Sequence, residues 1–346
     1  MIAGSGGAVE DSPIEKSLAL TRLYQPIVEE MKALRDHLHD EFASSEPFVN
    51  ELLEHLAKFR GKQIRPACVF LAGKCFGETH SDHIRCAAVV ELIHTATLVH
   101  DDLLDQADIR RRVDTVHSRY GDRAAILLGD IIYARGFVIS TEVEGAAKQL
   151  AECTREICIG EMLQVGSAGD LNLSEEQYFQ IIHRKTAILY GLSCRLGATL
   201  SGASDEQADA LERFGILLGT AFQIADDALD LVGDQETVGK SLGTDLVNGK
   251  MTLPLILLRD QLDDEGRESL MQLLEAAAAG QSDDAAHARR QAHRAAGIGA
   301  ERAMQHPRRD GRPRAAGRSA RDMIRVPGIS AVAEMTVVPG RPDGEF

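Results

Sequence analysis

The sequence predicts an all-α fold of long antiparallel helices around a central cavity, on three observations. Apolar residues recur at three- and four-residue steps along most of the chain. Helix-start signals precede those runs, and no set of alternating strands bounded by hairpin turns is present. Ser12-Pro13 reads as an N-cap followed by a first-turn proline, opening a helix to about Asp40. Ser45-Glu46-Pro47 repeats the signal before FVNELLEHLAKF. Ser81 is the expected cap of DHIRCAAVVELIHTATLVHDDLLD, the longest amphipathic run. Further helices are expected near 121–145, 147–167, 174–201, 204–232 and 252–277. Residues 233–252, rich in Gly, Lys and Asp without helical periodicity, are expected to form a mobile loop.

The chain has 346 residues, 44% of them apolar, enough for a real core in one large domain or two ordinary ones. Its formal charge of −15 argues against a nucleic-acid partner, which needs a basic footprint. Charges interrupt every apolar stretch well before the ~18 residues of a membrane span, so no transmembrane segment is expected. The N-terminus lacks the basic start and apolar core of a signal peptide. Six cysteines, at 68, 75, 86, 153, 158 and 194, form no CxxC and no dense framework, which fits reduced thiols in a cytoplasmic protein. Composition changes at 285. Residues 285–346 hold twelve Arg against six Asp+Glu and lack an apolar stripe, so the reading is a domain over 1–284 and a divergent basic, unstructured tail.

Two five-residue strings carry the chemistry: Asp101-Asp102-Leu-Leu-Asp105 and Asp226-Asp227-Ala-Leu-Asp230. On a helix, positions i and i+4 project from one face about 6 Å apart. Asp101 and Asp105 therefore aim at one point, as do Asp226 and Asp230. Most acidic runs are solvated faces, but 27 Asp in this chain predict only roughly 0.16 copies of DDxxD by chance. Both strings also end apolar runs. Carboxylates at a core edge are costly without partners, and oxygen clusters of this kind suit hard divalent cations such as Mg²⁺.

Basic groups stand in glycine-bearing or turn contexts: Lys62 and Arg65 in GKQIRP, Arg110-Arg111-Arg112, Lys185-Thr186, Lys240 and Lys250. Arginine forks and lysine point charges are what diphosphates need. Neither GxxxxGK[ST] nor GxGxxG occurs, so no P-loop or Rossmann nucleotide site is supported. His94, seven residues before Asp101, is nearly eclipsed with it on a helix. Taken alone it reads as a core histidine.

In order along the chain, GKQIRP (61–66), ELIHTATLVHDDLLDQADIRR (91–111), GDIIYARGF (129–137), HRKTA (183–187), FQIADDALD (222–230) and GKSLGTDLVNGKMTLP (239–254) resemble the trans-isoprenyl diphosphate synthases, the polyprenyl synthetase family. The resemblance covers roughly 15–280. It implies the isoprenoid synthase fold, usually a homodimer, with both aspartate motifs facing one deep cavity. It implies Asp101 and Asp105 as ligands of two Mg²⁺ on an allylic diphosphate and Asp226 as a ligand of a third, with Asp102, Asp227 and Asp230 in support. Arg110, Lys185 and Lys240 look like allylic diphosphate ligands. Lys62, Arg65, His94 and Arg111 look like the isopentenyl diphosphate site. Thr186 and Gln223 match the positions that stabilise the developing carbocation, and Lys250 the lysine of the closing loop.

The implied reaction ionises the allylic C–O bond, lets the double bond of isopentenyl diphosphate attack the cation, and then loses a proton, with the released diphosphate as base. No Ser/His or Cys/His nucleophile is needed. Four and five residues before Asp101 stand Thr97 and Ala96, small residues that in this family leave the product tunnel open. HTATLVHDD is similar to long-chain octaprenyl-type synthases, so six or more isoprene units are expected, with a geranylgeranyl or farnesyl diphosphate synthase as the alternative. Arg112 replaces the family's usual Gly, and 285–325 does not resemble the family's C-terminal helices. A class I terpene cyclase is disfavoured because its second metal motif is not DDxxD. A non-catalytic subunit of a two-component synthase is disfavoured because all six aspartates are present.

Overall fold

The computed structural model describes residues 21–59, 61–111, 113–232, 245 and 248–278. A 3₁₀ turn at Gln25–Ile27, set by Pro26, leads into α1 (Val28–Glu41). There follow α2 (Pro47–Leu56), α3 (Ile64–Lys74) and α4 (Ser81–Leu104). A two-residue antiparallel ladder, β1 (Ile109–Arg110) and β2 (Val113–Asp114), precedes α5 (Val116–Tyr120), α6 (Asp122–Ser140) and α7 (Ala146–Gly166). Then α8 (Glu175–Ile182) runs through a π-helical turn (His183–Ala187) into α9 (Ile188–Leu200) and α10 (Asp205–Val232). Last come α11 (Leu253–Gln261) and α12 (Asp264–Ala278).

Helix α4 is the central post, packed against α3, α6 and α9, and α9 in turn packs on α3 and α10. Its buried stripe of Cys86, Val89, Val90, Ile93 and Ala96 recurs at three- and four-residue steps. Glycines set the closest approaches. A Cβ at Gly197 of α9 would lie 2.0 Å from the Val69 carbonyl oxygen of α3, and one at Gly219 of α10 would lie 2.7 Å from Ala187 Cα. A smaller core joins Tyr178, Ile181 and Ile182 to Leu255 and Ile256 of α11 and Leu270 and Leu274 of α12.

Several expectations need correction. The cap of α4 is His80, whose imidazole accepts from Asp82 N–H, rather than Ser81. The helix expected over 174–201 is interrupted by the π turn, which carries one extra residue past α7. The helix expected over 252–277 breaks between α11 and α12, where Asp263 accepts from Gly266 N–H. The short β ladder was too brief to register as an alternating pattern. The expected start of the first helix at Pro13, Lys240, Arg112 and the tail over 285–346 lie outside the described residues. Among the described residues, no helix is long and apolar enough to cross a membrane.

Candidate active site

The end of α4 carries the first aspartate string. The helix closes at Leu104, and Asp105 N–H bonds to Asp101 C=O at 2.8 Å, so the two carboxylates keep their one-turn relation as the helix ends. The chain itself supplies partners to all three. Lys185 Nζ lies 3.5 Å from Asp101, Lys250 Nζ donates to both Asp105 oxygens at 2.8 and 2.9 Å, and Arg110 reaches Asp102 at 2.6 Å. Burial pushes the Asp102 carboxyl up, against the opposing pull of Arg110. Carboxylates at this core edge thus have cationic partners from the chain, where spacing alone had pointed only to metal.

The second string lies near the end of α10. Asp227 accepts from Tyr178 Oη at 2.6 Å and from Gln223 Nε2 at 2.8 Å. Gln223 Oε1 in turn accepts from the Thr186 hydroxyl at 2.7 Å. Burial, with Asp245 nearby, pushes the Asp227 carboxyl up to about 7. Asp230 accepts from Asp245 N–H at 3.2 Å.

Two bridges bring the strings into one site. The π turn offers Lys185 to Asp101 and the adjacent Thr186, through Gln223, to Asp227. A widened turn presents these two consecutive side chains to opposite partners. The second bridge runs from Asp105 to Lys250, which lies 3.6 Å from Asp245, and from Asp245 to Asp230.

Beside them lies a cationic pocket. Arg65 stacks on the Tyr190 ring at 4.4 Å. Arg111 donates to Phe59 C=O at 2.7 Å from a left-handed backbone (φ 50°), and Gln63, between Lys62 and Arg65, is left-handed too (φ 51°). Such strain at non-glycine residues is held in place by surrounding structure and collects at functional sites. His94 is half-buried, and desolvation together with the facing Arg65, Arg111 and Arg110 holds its pKa well below the usual range, which disfavours the charged ring. Burial and Arg111 push the Lys62 ammonium down to about 8, against the nearby Asp226. The charged form that an anion needs is therefore lost as pH rises through about 8 in the free protein. An anionic substrate bound beside Lys62 is expected to show a kcat/KM that falls above that pH, and Lys62→Arg is expected to move the fall to higher pH, read from initial rates across pH 6.5–9.5.

Spacing did not single out Tyr178, Glu161, Gln164 or Glu91. Glu161 lies 2.5 Å from Lys185 Nζ, and Glu91 is a buried carboxyl facing Arg65 and Arg111, its pKa raised by burial. Each is a lone polar residue on a helix face, which sequence cannot tell from surface charge. Ala96 is fully buried within α4, and Thr97 bonds through its hydroxyl to His94 C=O at 2.7 Å.

A divalent cation fits this donor set. The donors are hard carboxylate oxygens, and among the described residues no three Asp, Glu, His or Cys side chains converge into a complete cage. Mg²⁺ commonly takes one or two carboxylates and completes its shell with waters and substrate phosphate.

The polyprenyl synthetase family profile matches residues 46–291. The chain is 36% identical over 240 residues to octaprenyl diphosphate synthase of Escherichia coli (strain K12), covering 68% of this chain and 74% of that protein. It is 38% identical over 227 residues to a short chain isoprenyl diphosphate synthase of Methanothermobacter thermautotrophicus, covering 64% of this chain and 70% of that one. The fold matches the polyprenyl synthase of Caulobacter crescentus CB15, solved with calcium and isoprenyl diphosphate, with a TM-score of 0.75, 31% identity, and coverage of 96% of this chain and 99% of that one.

Proposed function

The chain belongs to the polyprenyl synthetase family, and from that premise we propose that it condenses isopentenyl diphosphate with an allylic diphosphate into a long-chain trans-polyprenyl diphosphate. The single observation that carries this reading is the π turn, whose Lys185 and Thr186 tie the Asp101 string to the Asp227 string around one site. Lys185, Arg110 and Lys240 bind and orient the allylic diphosphate. Lys62, Arg65, His94 and Arg111 bind isopentenyl diphosphate, with desolvation and the three facing arginines disfavouring a charged His94 ring. Asp101, Asp105 and Asp226 would hold Mg²⁺, three per site, and the bound ions would neutralise charge on the departing diphosphate oxygens. The Thr186 hydroxyl and the Gln223 carbonyl, already bonded to one another, present oxygen dipoles to the developing cation. Asp102, Asp227 and Asp230 hold Arg110, Gln223 and the backbone of Asp245 in place, and Lys250 reaches over to Asp105. The chain contributes no base of its own, and the freed diphosphate takes the proton.

A product of six or more isoprene units is supported by Ala96 and Thr97 and by the octaprenyl activity in the name of the Escherichia coli relative. The Thr97 hydroxyl is satisfied on its own helix, so it sets no unpaired polar group against a hydrocarbon chain. Ala96→Phe is expected to shorten the product by at least about two isoprene units with the ionisation site intact, read by chromatography of dephosphorylated products, since a ring adds bulk where one methyl stood. The short chain relative favours a second reading, a C15–C20 product. Purified protein given labelled isopentenyl diphosphate, Mg²⁺ and dimethylallyl, geranyl or farnesyl diphosphate separates these readings by product length. No turnover with any primer would move the chain to a partner subunit.

We place the reaction in the cytoplasm, in keeping with cysteines that are all free. A homodimer through α6 is supported by Ile126, Leu127, Ile131 and Val138, exposed apolar side chains along one helix. Leu127→Asp is expected to shift the sedimentation coefficient from dimer to monomer.

A further inference from the structure

Glu161 stands outside the machinery so far described, yet touches it. Helix α7 docks directly on the π turn because residue 160 is glycine: a Cβ there would lie 2.6 Å from Lys185 N and 2.9 Å from Arg184 Cβ. That approach delivers the next residue, Glu161, to Lys185, with Oε2 at 2.5 Å from Nζ, while Asp101 Oδ2 stands off at 3.5 Å from the same nitrogen. Less than one turn on, the Gln164 carbonyl, with its amide oriented to suit its neighbours, accepts from Lys185 Nζ at 3.3 Å and from Lys250 Nζ at 3.2 Å. An ammonium has three donors, and these three acceptors divide them. The Lys185, Glu161 and Asp101 side chains are all 17–18% exposed, so the pairing is partly dehydrated and is not a screened surface pair.

We infer that Glu161 is a positioning residue that holds Lys185 back from Asp101, leaving the Asp101 carboxylate available to a divalent cation. Without the Glu161 charge, the ammonium has one strong partner left, Asp101, and closes on the oxygens a metal would take. The inference rests on the synthase reading of the site.

The test measures metal binding by electron paramagnetic resonance of free Mn²⁺, with methylenediphosphonate present as an unreactive diphosphate mimic. Glu161→Gln keeps the side-chain volume and an acceptor while removing the charge. Its apparent Mn²⁺ Kd is expected to rise at least about fivefold, and Glu156→Gln, which releases Arg184 and Arg155 and touches neither Lys185 nor Asp101, is expected to leave Kd unchanged. In a Lys185→Met background, adding Glu161→Gln is expected to change Kd by less than about twofold, because the competitor is gone. An unchanged Kd in the single variant overturns the inference. So does a loss that persists in the Lys185→Met background, which would make Glu161 itself a metal ligand. If the unaltered protein binds no Mn²⁺ at all, the synthase reading fails and takes this inference with it, an outcome distinct from the other two.

Discussion

Asp101→Asn is expected to lower the condensation rate by about 10²–10³-fold while leaving the melting temperature nearly unchanged. Asn lacks the charge that would hold a divalent cation against the departing diphosphate, and the loss of one such electrostatic element is worth about that factor. The fold tolerates the change because α4 is held by its buried stripe, not by its final turn. Lys185 also keeps Glu161 and Gln164 as partners. Asp105→Asn is expected to cost a similar factor, and the double variant little more than either, because the two carboxylates act on one bound group. Steady-state rates at saturating substrate and Mg²⁺ check this. A variant retaining more than about a tenth of the rate would separate Asp101 from the chemistry.

Gly197→Ala has the largest expected effect on folding. Its Cβ would sit 2.0 Å from the Val69 carbonyl oxygen and 2.9 Å from the carbonyl carbon, and backbone atoms cannot rotate out of the way. Helices α3 and α9 must separate, at a cost at or above the ~1–3 kcal/mol of ordinary overpacking. The melting temperature is then expected to fall by roughly 5–10 °C, given about 2–4 °C per kcal/mol for a domain of this size. The displacement reaches the cationic pocket, because α3 carries Arg65 and α9 carries the Tyr190 ring beneath it. Gly166→Ala is the control: a Cβ there meets nothing within 4 Å, so the melting temperature is expected to hold.

The helices were legible because a buried stripe leaves a periodic trace, as along α4. The π turn at His183–Ala187 was not, since one extra residue in a turn changes no local composition. What allows it is Gly160 on another helix, and its role appears only once the two are packed. The break between α11 and α12 rests on a single Asp263 cap, a signal too common to read from one position. In the site, the aspartate strings were visible by their i, i+4 spacing, but their partners were not. Lys250 reaches Asp105 across a separation of 145 residues, and Tyr178 reaches Asp227 across 49. Spacing on one helix identifies what points together and says nothing of what comes to meet it.

Two acidic clusters are expected to close on one diphosphate through divalent metal. A crystal structure of the protein with Mn²⁺ and an unreactive thio analogue of geranyl diphosphate, read by anomalous scattering, tests this directly. The expected result is metal density bonded to Asp101 and Asp105 on one side and to Asp226 on the other, with the analogue's oxygens between them and Lys185 Nζ on the diphosphate. Metal bound elsewhere, or an analogue seated away from both clusters, would contradict it.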